Sequence, residues 1–329
     1  MTDGAAPEST DIRWPLGETT VDATICRPAG PGPFPGVVMV AGSGPTDRNW
    51  NSPLLPGDNG SARLLAEALA RAGFVSLRYD KRGVGPHARE NLEALRGRVS
   101  MESHTAEVTS AVRALRARDF VRPDRIFALA NSEGALHALH HQLSGAEARF
   151  AGLVLIAPPG RPVGEVARAQ IAAQAAGVPN GQALLALYDE AIARFRAGEP
   201  AAPDPALPRG VRDLVHGLDA PINLPFAREL WGADGADLLR QVGVPVLVVI
   251  GRRDIQVDAD ADGAPLQRAA AGLADATFLF PEHANHVLKH EPAAADGGAV
   301  PAAARYNSPE ARLDPEALDG IRRWLTAHA

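Results

Sequence analysis

Short runs rich in Val, Ile and Leu alternate with helical spacing along most of this chain, and that alternation constrains the fold more than any other feature. Gly36–Ala41, Phe74–Tyr79, Arg125–Ala130, Leu153–Ala157 and Pro245–Ile250 are apolar runs, and Ala276–Phe280 follows as a last one. A strand that is apolar on both faces belongs inside a parallel sheet covered by helices on each side. Helical patterns over 61–72, 102–118, 133–144, 260–273 and 309–327 supply that cover. Asp11–Leu16 and Thr19–Arg27, with Gly17 in the turn between them, read as an antiparallel opening pair. The pattern predicts an α/β fold with a mostly parallel central sheet of about eight strands flanked by helices.

The stretch 159–241 breaks the alternation. It has no strand pattern, but 164–177, 181–198 and 224–241 show helical spacing, interrupted by Pro-rich joints such as 200–208. Helices inserted between two strands of a parallel sheet are best placed above its carboxyl end, where ligands bind in such sheets. Over-long connections are more often functional than idle. The expectation is a core formed by 1–158 and 242–329 and a helical cap, or lid, over 159–241, inserted before the seventh strand. A helical insertion that only stabilises is the alternative. Residues 292–304 (PAAADGGAVPAAA) read as a flexible loop.

Composition narrows the partners. The 329 residues are 46% hydrophobic and 22% charged, ordinary for a folded soluble protein and far from a disordered one. Lys+Arg 33 against Asp+Glu 39 gives a net charge of −6, so no basic surplus invites nucleic acid or anionic lipid. Cys26 stands alone, so nothing calls for an oxidising compartment. Residues 1–11 lack the basic-then-apolar order of a signal peptide, and no apolar run reaches the ~18 residues of a membrane helix. A cytoplasmic location is the expectation. Of the basic residues only Lys81 and Lys289 are lysine; the rest are arginine.

The chemistry concentrates where strands end. In RIFALANSEGALHALH, Ser132 stands right after an apolar strand and right before a helix. A tight strand–Ser–helix turn exposes the hydroxyl and aims the next backbone N–H, that of Glu133, at a developing oxyanion. Ala130 and Gly134 fill the small positions on either side. Ser132 as a plain helix N-cap is the competing reading. A nucleophilic serine needs a base, and the base needs a carboxylate to fix its tautomer. Asp254 follows the run PVLVVI and His286 follows ATFLF, so both fall on loops at the carboxyl end of the sheet.

Each role has rivals. Asp258, Asp260 and Asp262 lie just beyond Asp254, but acids there also suit the start of the next helix. His283 and His290 flank His286. His137, His140 and His141 make an HxxHH pattern, but a lone helical His pair lacks the third ligand a zinc site needs, so no metal is expected. The glycine-rich turn Ala41-Gly42-Ser43-Gly44 could offer a second oxyanion N–H, that of Ser43, or could be a plain turn. It matches neither G-x-G-x-x-G nor a P-loop, so no nucleotide cofactor is expected.

These residues resemble a family. AGSGPTDRNWN, LRYDKRGVG, ANSEGA, VIGRRDIQV and HANHVLKH, in the order Ser…Asp…His, make the chain similar to bacterial α/β-hydrolases of the serine esterase type with a helical cap, over about residues 11–327. The resemblance implies a Ser132–Asp254–His286 triad, an oxyanion hole of Ser43 and Glu133 N–H groups, a small-molecule ester substrate and no cofactor. Ala41, Ala130 and Asn131 depart from the common pattern. A thioesterase, lactonase or peptidase using the same residues, a tailoring enzyme of a biosynthetic pathway, and a non-catalytic binding protein on the same fold are the rival readings.

Overall fold

Residues 6–54, 56–146, 148–291, 306–308 and 310–329 are described by a computed structural model. The stretch 292–304, read above as a loop, lies outside them.

The chain opens with β1 (Glu8–Leu16), β2 (Thr19–Arg27) and β3 (Phe34–Val40), then α1 (Ser61–Arg71), β4 (Val75–Tyr79), α2 (Ala88–Leu95) and α3 (Met101–Arg116). β5 (Val121–Asn131), α4 (Glu133–Leu143) and β6 (Gly152–Ile156) follow. Then come the helices α5 (Val163–Ala175), α6 (Gly181–Ala197), α7 (Arg209–Asp219), α8 (Phe226–Trp231) and α9 (Gly235–Leu239), with a 3₁₀ turn at Pro221–Asn223. β7 (Val246–Val249), α10 (Gly263–Ala270), β8 (Ala276–Leu279) and α11 (Pro315–His328) complete the order.

The eight strands form one sheet in the order β1-β2-β4-β3-β5-β6-β7-β8. β1–β2 and β2–β4 are antiparallel, and every pairing from β4 to β8 is parallel. Apolar composition on both faces explains the interior: Val37, Val38, Leu129, Leu155 and Val249 have no solvent exposure. The edge strand β1 is mostly exposed and carries Glu8, Asp11, Arg13 and Pro15, residues that discourage another strand from pairing there.

Helix boundaries follow local chemistry. Ser100 and Ser103 form a reciprocal capping box that starts α3, and Asp314 caps α11 with Pro315 in its first turn. The pattern over 224–241 splits into α8 and α9 because Asp234 accepts the Ala236 and Asp237 N–H groups and starts a new helix. Helices α2 and α7 were not anticipated. Only Asn91 is buried on α2, whereas α7 buries Val211 and Val215 and packs Leu218 against the inserted helices' cluster, an apolar stripe at i, i+4 and i+7.

The inserted helices keep a hydrophobic cluster of their own. Tyr188, Ile192, Phe195, Val215, Ala227 and Trp231 pack together, apart from the main core around the sheet. Ala236 and Leu239 of α9 belong to the main core instead, so the separate cluster ends before α9. Several contacts tie the insertion down, two of them at the start of α3. Phe226 N–H donates to Val99 O at 3.0 Å, and the Glu229 carboxylate accepts the Met101 N–H at the start of α3 at 2.6 Å. Among the described residues no helix is long and apolar enough to cross a membrane.

Candidate active site

The turn between β5 and α4 is drawn tight by small residues. Ser132 holds φ 55° and ψ −124°, a backbone region that side chains rarely adopt. Its N–H donates to Ile156 O at 2.8 Å, which ties the turn to the neighbouring strand end. It stands at the N-cap of α4, yet its side chain makes no capping hydrogen bond. The N-cap reading therefore has no support in the geometry, and Ser132 is partly exposed. Gly134 is required by packing: a Cβ there would lie 2.5 Å from Ala41 O and 2.7 Å from Val40 O. Ala130, by contrast, is fully buried in register between Val40 and Leu155, where its methyl is accommodated.

Asp254 and His286 meet at the next strand ends. The Asp254 Oδ2 lies 2.8 Å from His286 Nδ1, and both side chains are nearly or fully buried. Asp254 Oδ1 accepts the N–H groups of Gln256 at 2.7 Å and Val257 at 3.0 Å, so the carboxylate is fixed on both sides. Backbone bonds join the two loops: Arg252 N–H to Pro281 O at 2.9 Å, and Arg253 N–H to Ala284 O at 3.0 Å. With Nδ1–H given to Asp254, the His286 Nε2 is left as the basic atom.

The rival groups are committed elsewhere. Asp262 is fully buried and accepts from Gly160 N–H, the Arg161 guanidinium and Asp258 N–H. Asp258 accepts from Asp260 and Ala261 N–H at the approach to α10. His290 bonds Asp314 at 2.9 Å, and the His283 ring packs against His290. His141 bonds Thr109 and Ala148 O, whereas His137 faces Glu133. No group of three or more His, Cys, Asp or Glu side chains among the described residues is arranged to hold a metal ion.

The glycine-rich loop after β3 reaches the same turn. A Cβ on Gly42 would lie 3.3 Å from Ser132 Cβ and 3.1 Å from Asn131 Oδ1, so the loop packs closely on the serine turn. Ser43, the next residue, is exposed, and its carbonyl accepts the Thr46 hydroxyl at 2.9 Å. Glu133 is the first residue of α4, where an N–H has no partner within the helix.

Several supporting residues were not singled out for these roles in sequence. Asn131 Nδ2 donates to His286 O at 3.0 Å, a direct link between the serine turn and the histidine loop. Asn285 Oδ1 accepts the N–H groups of Val287 and Lys289, holding that loop in shape. The Tyr306 ring stacks near His286, and its hydroxyl accepts from Gln256 at 3.3 Å. Gln170 of α5 donates to Gln256 O at 2.9 Å, so the insertion touches the Asp254 loop. In sequence Asn131, beside the candidate nucleophile, reads as a residue that orients locally or simply tolerates the turn; the others depend on loop geometry.

A buried ionic chain lies under the turn. Glu133 Oε1 accepts from Lys81 Nζ at 2.8 Å and from His137 Nε2 at 3.0 Å. Burial pushes the Glu133 carboxyl up, but Lys81 and His137 outweigh it and hold it well below the usual range. Burial lowers His137 to about 4 despite Glu133, so it is neutral at pH 7. His104 stacks on His137 at 4.7 Å and faces Glu107 at 3.5 Å. Glu107 in turn bonds Arg82 at 2.6 Å.

The profile of the alpha/beta hydrolase family matches residues 37–300. Esterase EstD of Thermotoga maritima is 27% identical over 302 residues, which cover 92% of this chain and 64% of that protein. The chain thus spans somewhat under two thirds of that relative's length. Among solved structures, VinJ superposes with a TM-score of 0.58 at 15% identity, covering 97% of this chain and 99% of that one. The esterase PF2001 of Pyrococcus furiosus superposes at 0.57 with 16% identity, covering 98% and 91%. Similarity at such identity speaks to the fold alone. With the family profile spanning most of the sheet and both ends of the candidate site, the chain belongs to the alpha/beta hydrolase family.

Proposed function

We propose that this protein hydrolyses carboxylic esters through an acyl-enzyme on Ser132. One observation carries the reading: the 2.8 Å Asp254–His286 pair sits on the loops beside a strained serine whose hydroxyl caps nothing. The 27% identity to an esterase supports the ester class.

In this reading His286 Nε2 takes the Ser132 proton as Oγ bonds to the ester carbonyl carbon. Asp254 holds the ring and stabilises the imidazolium that forms. The Glu133 and Ser43 N–H groups bind the oxyanion. When the tetrahedral adduct collapses, the C–O bond to the alcohol breaks and His286 returns the proton to the leaving oxygen. Water, deprotonated by the same imidazole, then attacks the acyl carbon; the acyl–Oγ bond breaks, His286 returns the proton to Ser132 Oγ, and the acid leaves. Each oxyanion donor is worth ~10²–10³ in rate.

Residues 1–158 and 242–329 form the catalytic core in this reading, and 159–241 forms its cap, although its last helix, α9, packs into the core. The cap's own hydrophobic cluster and the Gln170–Gln256 contact beside the Asp254 loop support that role. Over such a site a cap would shield the acyl-enzyme and shape the substrate pocket.

A panel of p-nitrophenyl esters of rising acyl length, with one thioester, tests the proposal. The wild-type protein should hydrolyse esters, and Ser132→Ala and His286→Ala should each lower the rate by at least ~10³-fold. Equal turnover by wild type and Ser132→Ala would overturn it, and a marked preference for the thioester would move the substrate class.

A further inference from the structure

The turn after β4 binds both segments that bear the oxyanion donors. Its Lys81 is only 7% exposed, and Nζ reaches the Glu133 carboxylate at 2.8 Å. The Lys81 N–H donates to Thr46 O at 3.3 Å, in the loop that carries Ser43. Asp80, one residue earlier, accepts the Arg48 N–H at 2.8 Å and the Arg48 guanidinium at 2.7 and 3.1 Å. Two consecutive residues thus hold the β3 loop on one side and the first residue of α4 on the other. The Ala41 carbonyl packed against Gly134 brings the same two segments together.

A buried ion pair is weak evidence for stability, because desolvation offsets much of its attraction. Positioning is a stronger reason to keep one, since oxyanion donors act only when held within ~0.5 Å of the productive geometry. We infer that the Asp80-Lys81 turn is the positioning element of the oxyanion hole, with Lys81 orienting the Glu133 N–H through that residue's carboxylate. The inference rests on the serine-hydrolase reading above. Lys81 is a positioning residue, since it acts through Glu133.

The groups facing the Glu133 carboxylate are Lys81 from the turn, His137 from α4 and His104 from α3. Glu107 and Arg82 lie beyond His104. Lys81 disfavours protonation of both Glu133 and His137. Removing its charge therefore raises both protonation midpoints, so protonation of Glu133 adds a loss of activity on the acid side, beside the one that protonation of the base His286 sets. A pair serving stability alone would add no such loss.

The experiment uses Lys81→Met and Lys81→Arg in the full chain, with circular dichroism to establish folding. The readouts are kcat and KM for a p-nitrophenyl ester and inhibition by a trifluoromethyl ketone, across pH 5–9. Lys81→Met should lower kcat ~10–100-fold with little change in KM, as expected for a misplaced donor. It should weaken the ketone in proportion and add a loss of activity on the acid side, and Lys81→Arg should recover most of both. A folded Lys81→Met with kcat within about twofold of wild type and no added acid-side loss would overturn the inference. If Lys81→Met does not fold, Lys81→Met/Glu133→Gln removes the stranded charge, and wild-type kcat in that double variant would overturn it equally. Failure of the underlying reading looks different: Ser132→Ala would then be as active as wild type.

Discussion

Ser132 carries a backbone conformation that costs ~1–3 kcal/mol for a residue with a side chain. Glycine would relieve that strain, at an entropic cost of ~0.5–1 kcal/mol from a freer unfolded chain. Ser132→Gly is thus expected to be more stable than wild type by ~1 kcal/mol in urea unfolding, and inactive. Unchanged or lower stability would mean the turn is not strained. Among the acids, Asp254→Asn should lower kcat by ~10⁴-fold, because the imidazole loses the partner that fixes its tautomer. Asp258→Ala should leave kcat near wild type, since Asp258 only accepts N–H groups near α10. The reverse pattern would reassign the acid. Ser132 and His286 were legible in sequence because each closely follows an apolar strand. The choice among the acids at 254, 258, 260 and 262 was less so. It turns on Asp262 being buried against Gly160 and Arg161, about 100 residues away in sequence.

Between elements, α4 closely approaches the end of β3 beneath the serine turn. Gly134→Ala places a methyl against two backbone carbonyls that cannot swing aside, so the elements must separate. The expected result is a loss of ~1–3 kcal/mol of stability together with a loss of activity; a neutral substitution would show the packing to be looser than the geometry indicates. Farther out, Glu229 accepts the first N–H of α3, and Glu229→Ala should cost ~1 kcal/mol by removing that partner. Thermal unfolding at neutral pH measures it. The strands were legible because their apolar runs are continuous, and their ends fell within a few residues. Helix α2 was not, since only Asn91 of it is buried; α7 was legible in principle, with Val211, Leu214, Val215 and Leu218 at helical spacing. The division of 224–241 depended on one aspartate acting as a cap, which hydrophobic spacing alone does not register.

Over the whole molecule, alternation of strand and helix made the parallel sheet legible. The crossing that puts β4 between β2 and β3 was not legible, because it is settled by pairing between distant segments. Buried titratable groups give the fold a pH dependence with a definite sign. His137 is lowered to about 4, so between about 6.5 and about 4 the unfolded chain binds a proton that the folded one refuses. Stability falls as pH drops through that window. Glu107, which burial would raise but His104 and Arg82 lower to about 2, adds stability that is complete above about 4.5 and lost as pH falls through about 2. Calorimetry from pH 7 to pH 4 should show a steadily falling Tm. A constant Tm over that range would mean that the buried chain under the serine turn does not stay neutral at His137.

The most direct measurement for the molecule as a whole is labelling of the folded protein with a fluorophosphonate, followed by mass mapping of the modified peptide. The result expected is a single adduct on Ser132 that disappears in His286→Ala. Absence of any adduct, or an adduct on another serine that persists in His286→Ala, would contradict an activated Ser132 and with it the catalytic reading of the site.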